Sequence, residues 1–136
     1  MPYSVSIDVT GPWLVTEYAN VITGDDLVAA RREAASLNAD VRLSDFILDF
    51  TGVTEFILSS EAVDALHAID RERNKVLSGG RCALVAPREI VEIGATFLAA
   101  VSPLELDYRS FAARSAAENW LRGELPTPPP TLPRRR

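Results

Sequence analysis

One stretch, residues 46–70, constrains the fold of this chain more than any other. It opens with the run Phe46-Ile47-Leu48-Asp49-Phe50, which is apolar on both faces of a strand whose side chains alternate with a two-residue repeat. A strand covered on only one face would alternate between apolar and polar residues. The run therefore predicts a central strand of a sheet that is covered on both faces.

The residues after this strand predict a loop and then a helix. Gly52 is expected to end the strand, and Ser59 or Ser60 can accept a hydrogen bond from a free N–H of the first helical turn. Glu61 places negative charge near the positive end of the helix dipole. An apolar stripe at helical spacing is expected to face the core: Ala62, Leu66 and Ile69. The polar residues of this helix fall mostly outside the stripe: Asp64, His67, Asp70 and Arg71.

The chain before the central strand predicts a hairpin followed by a helix. Residues 5–9 and 13–21 read as two strands on either side of the turn signal Gly11-Pro12, and such strands form an antiparallel hairpin. Thr23 and Asp26 make a capping-box pattern that opens a helix. Asn38 can end that helix by adopting a left-handed conformation.

Strands and helices continue to alternate after residue 80. Residues 81–86 predict a second strand that is apolar on both faces, Pro87 fits the first turn of a further helix, and residues 104–109 alternate as an edge strand would. Ser115 and Glu118 form a capping box for a last helix, which is expected to bury Ala117, Trp120 and Leu121. We therefore predict an α/β fold with a mixed, mostly parallel sheet of about five strands, about four helices and an N-terminal β-hairpin.

Composition sets the domain organisation. The chain has 136 residues, so we expect one domain over residues 1–123. Residues 124–136 are rich in proline and end in three arginines, which predicts an extended, flexible tail.

Composition also excludes several classes of function. The net charge of −5 argues against a nucleic-acid partner, and no apolar run is long enough for membrane insertion. The single cysteine, Cys82, excludes an internal disulfide and a metal site built from several cysteines; a small buried residue is the better interpretation of it. The sequence has no glycine-rich phosphate loop, so we predict no cofactor and no metal. No signal peptide is evident at the N-terminus, and a cytoplasmic location follows as the default.

Three pieces of the sequence resemble STAS domains, which have the SpoIIAA-like fold. They are the run Ile47-Leu48-Asp49-Phe50-Thr51-Gly52-Val53-Thr54, the run Arg81-Cys82-Ala83-Leu84-Val85-Ala86, and the closing Phe111 with Ala117, Trp120 and Leu121. A broader group of bacterial SpoIIAA-like proteins shares the closing pattern, and the resemblance covers residues 5–122. It implies a SpoIIAA-like α/β domain that serves as a regulatory or binding module for proteins or small ligands, rather than an enzyme.

The phosphorylation motif of this family is not matched. Phosphorylated STAS domains carry Asp-Ser-x-Gly at the start of the second helix, where this chain has Ile57-Leu58-Ser59-Ser60. The acceptor place falls on Leu58, or on Ser59 if one extra residue is allowed. In both alignments the acidic neighbour and the glycine are missing, so we predict a module without the usual phosphoserine switch. The candidate interaction region comprises Asp49, Thr51, Ser59, Ser60 and Glu61.

A second class of function stays open at this point. A small enzyme could be built from Asp49, Glu55 and His67 around one pocket; a deep cavity that joins the three side chains, with a raised carboxylate pKa, would favour it. A lone histidine on a solvated helix face is usually surface, so no catalytic residue is assigned.

We predict a protein partner whose identity the sequence does not give. A homodimer is also predicted, because the two strands that are apolar on both faces need cover that the hairpin alone is too small to supply.

Overall fold

The computed structural model describes the backbone of residues 2–77, 80–87 and 107–123, and their side chains except those of residues 73–77. This part of the chain contains five strands and three helices. In chain order they are β1 (Tyr3–Asp8), β2 (Trp13–Thr23), α1 (Gly24–Val41), β3 (Asp45–Ile57), α2 (Ser60–Leu77), β4 (Arg81–Val85), β5 (Asp107–Phe111) and α3 (Arg114–Leu121). None of the helices in the described ranges has the length and hydropathy to cross a bilayer.

The five strands form one mixed sheet in the order β1-β2-β3-β4-β5. Strands β1 and β2 are antiparallel, whereas the other three neighbouring pairs are parallel. Strand β3 lies at the centre, and Leu48 is directly opposite Leu84 of β4. The predicted hairpin, the mostly parallel sheet and the two neighbouring central strands are therefore confirmed. The fourth predicted helix, which was expected to begin at Pro87, lies outside the described residues.

Helices α1 and α2 cover one face of the sheet. Their apolar stripes pack with β2 and β3 in one buried cluster: Tyr18, Ile22, Leu27, Val28, Ala30, Val53, Ala62 and Leu66. The two helices begin side by side, because Gly24 has no side chain at a point of close approach. A Cβ atom added at Gly24 would lie 2.3 Å from the Cβ of Ala62. The glycine therefore fixes the first turn of α1 against the first turn of α2.

Helix α3 covers the opposite face of the sheet. It contributes Ala117 and Leu121 to a second buried cluster, whose other members come from three strands: Trp13, Val15, Ile47, Ala83 and Val85. Trp120 is half-buried at the edge of this cluster, so Leu121 rather than Trp120 is the deeply buried anchor of α3. The cover that we expected from a second subunit thus comes from the chain itself. The homodimer stays a prediction that needs another basis.

Strand β3 is longer than predicted, and Gly52 does not end it. The strand runs through Gly52 to Ile57 and stays paired with β2 across two register shifts, between Glu17 and Ala19 and between Asn20 and Val21. Irregularities of this kind absorb an extra residue while the ladder continues. The residues after Gly52 are rich in β-branched and aromatic side chains, which favour strands, and β2 supplies their backbone partners.

The end of α1 and the start of α3 differ from the prediction, whereas the predicted capping box of α1 is confirmed. Thr23 and Asp26 make the reciprocal bonds of a capping box at the start of α1. The helix continues past Asn38, and Arg42 takes the left-handed conformation instead, with φ 54°. Asn38 is buried because its side-chain amide makes two hydrogen bonds to the backbone of Leu43.

The predicted capping box of the last helix does not form. Helix α3 begins two residues earlier than the pattern implied, with Ala113 as an N-cap that makes no side-chain hydrogen bond. Ser115 therefore lies inside the first turn. The Glu118 carboxylate is held by the guanidinium groups of Arg114 and Arg122, at 3.1 and 3.5 Å.

Candidate functional site

The start of α2 lies where β2 and β3 end. Thr23, the last residue of β2, is paired with Ile57, the last residue of β3, and α1 and α2 begin directly after these strands. The Ser59 hydroxyl accepts a hydrogen bond of 3.2 Å from the backbone N–H of Ala62. Ser59 is therefore the N-cap of α2, whereas the exposed Ser60 hydroxyl donates to a Glu61 carboxylate oxygen at 3.1 Å.

This difference between the two serines predicts a difference in stability. Ser59→Ala should lower the free energy of unfolding by about 1 kcal/mol, because an N–H of the first turn loses its partner. Ser60→Ala is the matched control and should change it by less than about 0.5 kcal/mol, as expected for an exposed surface position. Urea denaturation followed by circular dichroism measures both. Equal losses for the two variants would mean that Ser59 is not the cap.

An exposed apolar surface adjoins this helix start. Val21, Ile57 and Leu58 are large apolar residues that remain exposed, Ile57 to 52%. Ile22 and Phe56 turn towards α1 and α2, so their neighbours Val21 and Ile57 project from the other side of the sheet. We call Val21, Ile57, Leu58, Ser59, Ser60 and Glu61 the α2-start surface. Exposed apolar side chains among polar ones, here with Glu55 opposite Val21, are found at protein-interaction sites.

The structure separates Asp49 and Thr51 from the rest of the predicted interaction region. Both residues lie on β3, and the six steps from Thr51 to Ile57 span roughly 20 Å of strand. One Asp49 carboxylate oxygen accepts hydrogen bonds from the Thr51 N–H at 2.9 Å and from its hydroxyl at 2.6 Å. Asp49 thus accepts hydrogen bonds from its own neighbour in the chain, and the predicted interaction region consists of two separate places on the molecule.

Asp49 belongs instead to a group of four carboxylates around Arg114. The guanidinium nitrogens of Arg114 lie 3.1–3.9 Å from these carboxylates, which belong to Asp8, Glu17, Asp49 and Glu118. We call these four residues the acidic cluster. Hydrogen bonds from the Thr10 side chain and backbone, aided by the charge of Arg114 and by Trp13, lower the pKa of Asp8. Among the described residues, no three histidine, cysteine, aspartate or glutamate side chains are arranged to hold a metal ion.

The three residues of the enzyme alternative do not share a pocket. Glu55 is paired with Val21 and is exposed on the side of the sheet away from α2. His67 lies on α2 and is half-buried, and Asp49 lies beside Arg114. The sheet therefore separates Glu55 from His67, and an active site built from these three residues is not favoured.

A small cavity does lie between α1 and the sheet. Its volume is about 20 Å³, room for about one water molecule. None of the predicted site residues contributes to its lining: Leu14, Thr16, Tyr18, Ala30, Arg31, Ala34, Phe46, Leu48, Cys82 and Tyr108. The cavity holds Cys82 as a buried thiol, in agreement with its predicted packing role.

Arg31, which lines this cavity, belongs to a buried ion pair that the sequence interpretation missed. Arg31 of α1 is 7% exposed and Asp70 of α2 is 0% exposed, and an Arg31 Nη1 donates a hydrogen bond to an Asp70 Oδ1. Burial alone would lower the pKa of Arg31, but the charge of Asp70 and the hydrogen bond to it raise the pKa above its usual value. The prediction that Asp70 lies outside the buried stripe is therefore wrong.

The spacing of both residues contains the signal that would have found this pair. Asp70 follows Ala62 and Leu66 at intervals of four, so it continues their apolar stripe. Arg31 likewise lies four residues after Leu27, between two alanines that are buried. A charged residue on the buried stripe of a helix needs a partner of opposite charge. Arg31 on the stripe of α1 and Asp70 on the stripe of α2 therefore predict that these two residues form a pair.

Comparison with known proteins finds the fold in solved structures but gives no family. No protein-family model matches the chain, and no curated protein matches it. A structure of an uncharacterised protein of the DUF3478 family from Shewanella loihica PV-4, described as having a SpoIIAA-like fold, is similar with a TM-score of 0.60 and 16% identity over 88% of this chain and 91% of that one. The unphosphorylated anti-sigma factor antagonist SpoIIAA is similar with a TM-score of 0.58 and 15% identity over 89% of this chain and 98% of that one.

The likeness to both structures extends over nearly the whole of each chain. It agrees with the strand order, the N-terminal hairpin and the helices on both faces of the sheet. The chain therefore has the SpoIIAA-like fold of STAS domains.

Proposed function

We propose that this chain is a non-enzymatic regulatory module that binds a protein partner through the α2-start surface. The observation that carries the proposal is the group of exposed apolar side chains beside a capped helix start: Val21, Ile57 and Leu58. Burying such side chains contributes roughly 25 cal/mol for each Å² removed from water. One protein of similar structure is by its name an antagonist of an anti-sigma factor, which supports a protein as the ligand.

The cavity is a weaker candidate for a small-molecule binding site than the α2-start surface is for a protein-binding site. Pockets for small ligands usually enclose several hundred Å³, whereas this cavity has about 20 Å³. Its buried guanidinium, that of Arg31, already donates to Asp70. Protein binding on the surface is therefore the function we adopt, and the cavity is part of the core.

We propose that binding does not depend on a phosphoserine switch. Ser59 uses its hydroxyl to cap α2, and Leu58, which occupies the acceptor place of the family motif, has no hydroxyl. Ser60 donates to the Glu61 carboxylate. A phosphate on Ser60 would lie next to that carboxylate and be repelled by it. The partner is then bound by the unmodified chain, and we place this activity in the cytoplasm.

Site-specific crosslinking in the source organism tests the proposal. A photoreactive amino acid in place of Ile57 should form an adduct with a protein partner, because Ile57 is the most exposed apolar residue of the α2-start surface. The same amino acid in place of Val9 is the matched control. Val9 is 83% exposed and lies in the β1–β2 turn, at the opposite end of β2. An adduct at both positions, or at Val9 alone, would contradict the proposed surface.

A further inference from the structure

Three exposed carboxylates lie at the α2-start surface, and none of them forms an ion pair with another described residue. Glu55 lies on β3, two residues before the end of the strand, and Glu61 lies in the first turn of α2. Asp25 lies in the first turn of α1. It is close to the start of α2, because a Cβ atom added at its neighbour Gly24 would lie 3.6 Å from the backbone nitrogen of Ser59.

The sequence explains why these carboxylates have no basic neighbour. No lysine or arginine occurs in residues 1–30 or 43–70, and these two stretches supply the whole α2-start surface and all three carboxylates. The first basic residue after the start of α1 is Arg31, which is buried and donates to Asp70. The first after the start of α2 is Arg71, eleven residues or roughly 16 Å further along that helix. The apolar side chains of the surface are therefore accompanied by an excess of negative charge.

The part of β3 that carries Glu55 and Ile57 extends beyond the neighbouring strands. Strand β4 pairs with β3 only as far as Asp49, and β1 pairs with β2 only as far as Tyr18. Beyond these residues, the described parts of β2 and β3 pair only with each other. None of the other described strands then lies between a partner and these two side chains.

Glu55 lies among the apolar side chains of the surface rather than outside them. Alternate residues of a strand project from the same face, so Glu55 and Ile57 are neighbours on the face turned away from α1 and α2, roughly 7 Å apart. Val21 is directly opposite Glu55 on β2. A partner that covers Val21 and Ile57 therefore also removes the Glu55 carboxylate from water. Removing a charge from water is costly unless a group of opposite charge pairs with it.

We infer that the partner, whose binding here rests on the proposed function, docks with a segment in which lysine or arginine flanks apolar side chains. The apolar side chains of that segment cover Val21 and Ile57, and its cation pairs with Glu55. An acidic or uncharged segment would leave Glu55 buried without a counter-charge. Glu61 and Asp25 form a negative rim, which speeds the approach of a basic segment and excludes an acidic one.

Selection from a random peptide library displayed on phage tests the inference. Peptides that bind the native full-length chain but not Ile57→Asp are the ones that bind the α2-start surface. Among these peptides, lysine and arginine should be enriched beside apolar residues relative to the starting library, and aspartate and glutamate should be depleted.

The other results of the selection are also informative. Selected peptides that are acidic or uncharged, or the absence of any peptide that depends on Ile57, would overturn the inference. Peptides that bind the native chain and Ile57→Asp equally well bind elsewhere, which would contradict the proposed function itself and the inference with it.

Neutralising one carboxylate measures the ion pair directly. A selected peptide, synthesised with a fluorescent label, is titrated with each chain and followed by anisotropy. Glu55→Gln should weaken binding more than about tenfold, because the cation of the peptide loses its partner. Asp40→Asn is the matched control, since it removes the same charge from an exposed position near the far end of α1, and should change the affinity less than about twofold.

The salt dependence of the same titrations gives a second measurement. Raising sodium chloride from about 50 to about 500 mM should weaken binding to the native chain more than binding to Glu55→Gln, because salt screens the charge that the variant lacks. Equal affinities for Glu55→Gln and Asp40→Asn, with both chains folded, or an equal salt dependence for the native chain and Glu55→Gln, would overturn the pairing at Glu55.

Discussion

Replacing Asp70 with alanine should lower the free energy of unfolding by about 3–5 kcal/mol, because it leaves the buried guanidinium of Arg31 without its counter-charge. Arg31 and Asp70 are both buried between α1 and α2, where water cannot take over the lost interaction. Arg31→Met should also lower the free energy of unfolding, since it removes the buried guanidinium that donates a hydrogen bond to the Asp70 carboxylate. Urea denaturation followed by circular dichroism gives the values directly.

Two controls distinguish an unpaired charge from a general loss of packing. Asp64→Ala removes an exposed carboxylate from the same helix and should change stability by less than about 0.5 kcal/mol. The double variant Arg31→Met with Asp70→Leu should recover most of the loss, because apolar residues of similar volume replace buried ion pairs at little net cost. A double variant that is as unstable as Asp70→Ala would show that the pair itself, rather than the uncompensated charge, determines stability.

Leu121→Ala should lower the free energy of unfolding by about 2–5 kcal/mol, the range for removing a large aliphatic side chain from a core. Leu121 packs under α3 against the central strands, in the cluster that contains Ile47 and Val85. Loss of this contact would loosen α3 and expose the face of the sheet that it covers. Thermal and urea denaturation of the single variant measure the cost.

Trp120→Ala should lower the free energy of unfolding by less than the removal of a fully buried tryptophan does, for which a loss of about 3–5 kcal/mol is typical. The Trp120 ring is half-buried, and much of its contact is with the Phe111 ring at 5.6 Å and with the two arginine side chains. A larger loss for Trp120→Ala than for Leu121→Ala would mean that the indole, not the leucine, anchors α3.

The sequence contained enough information to place the central strand but not to place its end. Ile47 and Leu48 are neighbours that face opposite sides of the sheet, and both sides are covered, which is why an uninterrupted apolar run indicated a central strand. The continuation through Gly52 depends on β2, whose register shifts keep the ladder intact. Such pairing is a tertiary effect, so a local glycine signal cannot report it.

The candidate site was likewise predictable only where it depends on local sequence. Ser59 was identifiable because an N-cap is a local feature. Asp49 and Thr51 were grouped with it from their position in the family signature, but the extension of β3 moves them away from the start of α2. Val21 was not predicted as part of the site, because only the parallel pairing of β2 with β3 places it opposite Glu55, two residues before Ile57.

The sequence also did not indicate which face of the sheet each helix covers. The apolar residues Ala117 and Leu121 indicated that the last helix packs on the domain, but periodicity does not specify which face of a sheet a helix covers. The structure places α3 on the face opposite α1 and α2. The original reason for a homodimer, an uncovered face of the sheet, is therefore absent.

The central claim, protein binding through the α2-start surface, is tested most directly by the affinity of the partner identified by crosslinking. Calorimetric titration should give a dissociation constant for Ile57→Asp at least about tenfold higher than for the native chain, because a carboxylate buried in an apolar contact loses its hydration without gaining a partner. Val9→Asp, with the same change at the opposite end of β2, should bind as the native chain does. Equal affinities for the two variants, with both folded, would contradict the claim.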